Sequence, residues 1–125
     1  IKIDFPGLKE WIKENQNEIF NLLSSHFRLL IGDSFEFILA YCGATKQRGK
    51  LEKQDWYLFA KKLRDIFFHG GKIGCRSRAE EVKWNSNAEI TQVMNGQYLS
   101  YSILPHKIAW FLFTEMEKFV QNEIL

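Results

Sequence analysis

Apolar residues recur at three- and four-residue steps along most of this chain, and that period predicts helices. Over residues 7–31, Leu8, Trp11, Ile12, Ile19, Leu22, Leu23, His26, Phe27 and Leu30 lie at such steps and predict one long amphipathic helix. Gly32 is expected to end it, with Asp33 or Ser34 capping a second helix. That helix carries Phe35, Phe37, Ile38, Leu39 and Tyr41 to about residue 44. Residues 45–53 are polar and basic and read as a loop or a frayed continuation. Asp55 is a candidate N-cap for a third helix over residues 55–69, which a Gly70-Gly71 pair stops.

The third helix has two distinct faces. At about 100° per residue, Trp56, Phe59 and Phe67 fall within about 40° of Leu63 and form a core stripe. Arg64, Asp65, Phe68, His69 and Tyr57 fall on the far side, roughly 100° to 240° away. A solvated face does not need two aromatics, whereas a subunit interface does, so Tyr57 and Phe68 are candidate dimer contacts.

Beyond Gly74 the period changes. The runs 89–94 and 97–103 flank Asn95-Gly96, a dipeptide favoured in primed hairpin turns. A self-contained hairpin is therefore expected over residues 89–104, dispensable to the core. Pro105 opens a last helix at its first turn, with Ile108, Phe111, Leu112, Met116, Phe119 and Val120 as its buried stripe. The expected fold is mainly α: a bundle of about four main helices, with a small β-hairpin inserted before the last one, in a single domain over residues 1–125.

Composition adds boundaries to this picture. Hydrophobic residues make up 46% of the chain, enough for a core and too many for a disordered segment. The apolar stretches are too short to span a bilayer, and no leader pattern opens the sequence as given, so a cytoplasmic protein with no membrane partner is expected. Cys42 and Cys75 match no metal spacing and read as free thiols. There is no Gly-rich phosphate loop, zinc pattern or nucleophile elbow, and neither metal nor cofactor is expected.

Charge adds more. Residues 1–45 hold four basic and six acidic side chains, for −2; residues 46–83 hold eleven and five, for +6; residues 84–125 hold two and four, for −2. The +6 segment can attract a polyanion, or Lys46, Arg48, Lys50 and Lys53 can be a solvated loop. Within it, Lys61, Lys72, Arg76 and Arg78 surround Arg64 and His69 and are the candidate RNA-binding cations. Trp84 follows Arg76, Arg78 and Lys83 and is a candidate for base stacking, with core packing as the alternative. His26 reads as a core or interface histidine, and His106 as a first-turn surface residue.

The chemistry concentrates in Leu63-Arg64-Asp65-Ile66-Phe67-Phe68-His69-Gly70-Gly71. Arg offers a permanent fork-shaped cation for phosphate. His can take and give a proton near neutral pH. Asp65 lies four residues before His69, on one helical face, where it can hold the imidazole tautomer or repel RNA.

An Arg, a polar residue, three more residues and a His resemble the signature of the HEPN family, best matched over residues 55–71. The resemblance implies a compact helical bundle with its motif at the end of a central helix. It also implies a metal-independent endoribonuclease, often the toxin of a toxin–antitoxin pair or a defence nuclease. Arg64, Asp65 and His69 would form its catalytic set. Its partners would be RNA, a second copy completing a composite site, and an antitoxin protein of nucleotidyltransferase type. Asn is usual in that family where Asp65 stands, so a non-catalytic module binding nucleic acid or a partner protein is the alternative.

Overall fold

The computed structural model describes residues 7–125; the side chains of residues 12, 17, 19–21, 23 and 24 lie outside the described set, and with them Ile12, Ile19 and Leu23 of the expected first stripe. Among the described residues the architecture is mainly helical with one small antiparallel hairpin, as the hydrophobic period predicts. The order is α1 (Leu8–Glu14), α2 (Gln16–Ala44), α3 (Arg48–Glu52), α4 (Tyr57–Phe68), β1 (Val82–Trp84), β2 (Ala88–Ile90) and α5 (His106–Phe119). The last helix runs on through a π-type turn, Val120–Ile124.

The first helix does not span residues 7–31. It breaks at Asn15 (φ −109°), whose side-chain amide donates to the Trp11 carbonyl at 2.8 Å. A 29-residue helix then runs through Gly32 to Ala44, so Gly32 is no terminator, and Asp33 and Ser34 are interior residues rather than caps. The reason is tertiary. A Cβ on Gly32 would sit 3.0 Å from Cδ2 of Phe67 in α4, so the bare glycine lets that ring pack close against α2. Glycine inside a helix costs about 0.5–1 kcal/mol. Full burial of Ile31, Phe35 and Cys42 on the same helix outweighs that. Gly32→Leu should therefore destabilise the domain by about 1–3 kcal/mol in urea, because the added bulk overpacks the α2–α4 contact.

Helix α4 occupies the centre. Trp56, Phe59 and Leu63 are buried, as its stripe predicts, while Phe67 of that stripe is half-buried; Ala60 and Ile66 beside it are buried as well. Its N-cap position is Trp56 rather than Asp55; the Asp55 carboxylate instead accepts from Asn85 Nδ2 at 2.9 Å. Its C-terminus is closed by the glycine pair as expected. The Gly71 amide donates to Ile66 O at 2.9 Å and the Gly70 amide to Phe67 O at 3.2 Å. Both glycines have positive φ (69° and 88°), the backbone this helix stop requires. Residues 45–53 are more ordered than a loop, since α3 buries Leu51 completely.

The strand pairing differs from the Asn-Gly expectation. The hairpin lies at residues 82–90, with Val82 opposite Ile90 and Trp84 opposite Ala88. Asn95 has φ −57° and Gly96 φ +83°, and the Gln97 amide donates to Met94 O at 3.0 Å. That is a type II turn, whereas both primed hairpin turns need positive φ at the first of the two residues. The strand-like residues after it pair backward with the segment following α4. The Ile73 amide donates to Gln97 O and the Leu99 amide to Gly71 O, both at 2.8 Å. Trp84, Ile90, Leu99 and Leu104 are all buried, so this region belongs to the core and is not a dispensable insert.

Helix α5 follows Pro105, which stands at its N-cap. Leu112, Met116 and Phe119 are buried as expected, while Ile108 and Val120 are half-buried and Phe111 is partly exposed. Cys42 and Cys75 are free and fully buried. Burial pushes both thiols up, with Lys50 and Lys62 respectively pulling back toward the thiolate. Neither should react with a thiol reagent at neutral pH until the protein is denatured; labelling of the native protein within minutes would contradict this packing.

Candidate functional site

Arg64 and His69 leave α4 in different directions and line different cavities. Arg64 borders a cavity of about 370 Å³ with Arg28, Leu29, Gly32, Asp33, Phe67 and Phe68. His69 stands at the C-cap, where its own amide donates to Asp65 O and Ile66 O, and its ring is exposed. It borders a larger hollow of about 620 Å³ with Lys72, Arg76, Glu80 and Asn95. One copy of the chain thus separates the candidate cation from the candidate proton carrier, which at about 100° per residue stand about 140° apart around α4.

Asp65 does not meet His69. Its Oδ1 accepts from Arg64 Nε at 3.2 Å and from Nη2 at 3.0 Å. Arg64 Nη1 donates to Glu36 of α2 at 3.0 Å, and the guanidinium lies 5.4 Å from the centroid of the Phe35 ring. A cation that strong close by draws the carboxylate away from an imidazole one turn further on. Among the described residues the His69 ring makes no hydrogen bond or ion pair, so nothing there sets its tautomer. Partial burial works against the charged guanidinium, but the bonds and charges of Asp65 and Glu36 outweigh it and raise Arg64 further above its usual range.

Three of the five guanidinium N–H groups are engaged, leaving one on each terminal nitrogen. Arg28 is the residue that sequence reasoning missed. It sits inside the apolar repeat of α2, where a single basic residue carries no pattern of its own. Its Nη2 donates to the Leu99 carbonyl, and Nη1 lies 3.5 Å from where a Cβ on Gly71 would stand. A Cβ at position 71 would make only ordinary contact with that arm, so what calls for glycine there is the positive φ of 88°.

The remaining expected site residues divide. Lys72 and Arg76 are exposed and join His69 in its hollow. Lys61 and Arg78 are exposed but stand outside both cavities. Phe68 is 70% exposed at the rim of the Arg64 cavity, which suits an interface role. Tyr57 does not share that role: it is buried and stacks on Phe35 at 5.9 Å. Helix α4 packs against α2 as well as the opposite side, so its apolar arc is wider than one stripe. Trp84 is 1% exposed between Phe59 and Phe111 and is core rather than a stacking platform. His26 is exposed, and His106 is half-buried against Phe27 and Tyr101.

Among the described residues no helix is long and apolar enough to cross a membrane, and no group of three His, Cys, Asp or Glu residues could hold a metal ion. No family model matches the chain, and neither a curated protein nor a solved structure shows a significant match to it.

Proposed function

We propose that this protein is a metal-independent endoribonuclease of HEPN type, with a composite Arg/His site formed by two copies. The observation that carries the reading is the His69 hollow: an exposed imidazole at a helix end, flanked by Lys72 and Arg76. Those cations would hold the phosphates on either side of the scissile bond. His69 would take the proton of a ribose 2′-OH as its oxygen bonds to the adjacent phosphorus. The bond from phosphorus to the 5′ oxygen breaks, and that oxygen leaves with a proton that the second copy's imidazole can supply. The two free N–H groups of Arg64 would meet the charge on the phosphate. The products are a 2′,3′-cyclic phosphate and a 5′-OH. A toxin or defence role and a nucleotidyltransferase-type antitoxin partner belong to the same proposal and rest on the resemblance alone; a cytoplasmic location belongs to it as well.

A second reading has its own support. Glu36 and Asp65 both bond to Arg64, which neutralises the cation a phosphate would seek. A non-catalytic module that binds RNA or a partner protein through Lys72 and Arg76 fits that clamp. Incubation with total RNA in EDTA separates the two. Cleavage leaving cyclic-phosphate ends supports the nuclease; binding without cleavage, unchanged in Asp65→Asn, supports the module.

A further inference from the structure

The outer face of α2 carries an apolar seam that the fold leaves uncovered. Core residues Ile31, Phe35, Ile38 and Cys42 lie along one side of the helix and are buried. Directly opposite, at about 100° per residue, lie Leu22, His26, Leu29, Asp33, Phe37 and Ala40. All six are exposed, with Leu22 at 60%, Leu29 at 65% and Phe37 at 77%. Leu30 and Tyr41 flank the seam and are exposed as well. Large apolar side chains repeated along one helix face, away from the core, mark a contact surface.

We propose that this seam is the interface of an antiparallel homodimer, with α2 lying against α2 of a second copy about a two-fold axis between Leu29 and Leu30. The argument is self-complementarity, which a two-fold interface demands. In that register Leu29 faces Leu30, Leu22 faces Phe37, and the ring of His26 faces the carboxylate of Asp33. Every pair forms twice, and the only charged residue of the seam meets the only one that can donate to it. A parallel pairing would instead set Asp33 against Asp33. Together with Phe68, the exposed side chains on and beside the seam offer on the order of 700 Å² per copy, near the roughly 800 Å² per partner of a standard interface.

The pairing stands on the seam alone; its consequence for the site rests on the nuclease reading. The Arg64 cavity takes Ser25, Arg28, Leu29, Gly32 and Asp33 from α2, residues centred on the same turn as the axis. Leu29 and Asp33 belong to both cavity and seam. A two-fold axis normal to the helix pair keeps both cavities on one side, so two Arg64 cavities adjoin across helices spaced about 8–10 Å apart. Single copies lack that doubled arginine surface.

Three measurements test the register. The wild type should sediment as a dimer at tens of micromolar. Leu22→Glu and Phe37→Lys alone should each weaken dimerisation roughly thirtyfold or more, as loss of a central apolar anchor does. Mixed in equal amounts they should pair again, because one copy's Leu22→Glu position then faces the other's Phe37→Lys position while the second pair stays native. Under oxidation, His26→Cys mixed with Asp33→Cys should give a disulfide-linked heterodimer, with Cys42 and Cys75 silent in the core. Neither variant should link to itself, since like positions are offset by about 10 Å along the helix. A monomeric wild type, self-linking of His26→Cys, or no recovery in the mixture overturns the proposal. A dimer in this register that cuts no RNA leaves the seam standing and removes the nuclease; a monomer that cuts RNA removes both the seam and the composite site.

Discussion

His69→Ala should slow RNA cleavage on the order of a hundredfold or more while leaving thermal stability unchanged. The imidazole is exposed and, among the described residues, makes no bond whose loss would disturb the fold. Rate and stability therefore separate cleanly at this position. Arg64→Lys should fail as well, for a different reason. A lysine is a point cation and cannot hold Asp65 and Glu36 while offering two further donors to a phosphate. If the site is shared between copies and needs only one good Arg and one good His, with water protonating the leaving 5′ oxygen in place of the second imidazole, mixing Arg64→Ala with His69→Ala should restore part of the activity. Cleavage that persists in both single variants, or that stops in EDTA, would remove the mechanism.

The largest effect on stability is expected at Trp84. Trp84→Ala should destabilise the domain by about 3–5 kcal/mol, the range for deleting a buried large aromatic. The ring lies 6.0 Å from Phe59 and 5.0 Å from Phe111, so it joins the hairpin to α4 and to α5 at once. Domains of this size are stable by only about 5–15 kcal/mol, and a loss that large should lower Tm by on the order of 10–20 °C. Val93→Ser, at a side chain 85% exposed in the neighbouring turn, should change stability by no more than about 0.5 kcal/mol and serves as the control. Replacing residues 90–103 by a Gly/Ser loop should abolish cooperative unfolding, since it removes Ile90 and Leu99 from the core. A Tm for Trp84→Ala within a degree or two of wild type would show that the hairpin is not part of the core.

Where a residue's conformation depends on near neighbours, the sequence was enough. The stop of α4 at Gly70-Gly71, the start of α5 after Pro105, the end of α2 at Ala44 and the buried stripe through Trp56, Phe59 and Leu63 were all legible from spacing. So was the separation of Arg64 from His69 around α4, because helix geometry is set within a few residues. The tertiary structure decided what depends on distant partners. Gly32 reads as a terminator until Phe67 is seen to need its missing Cβ. Asn95-Gly96 reads as a hairpin turn until the 96–99 segment is seen to pair with residues 71–73. Tyr57 reads as a surface aromatic until Phe35 covers it, and Asp65 as a partner of His69 until Arg64, held also by Glu36 from 28 residues earlier, claims it. Local spacing fixes which way a side chain leaves its helix, but close packing and ion pairing set what it meets, and those depend on residues far apart in the chain.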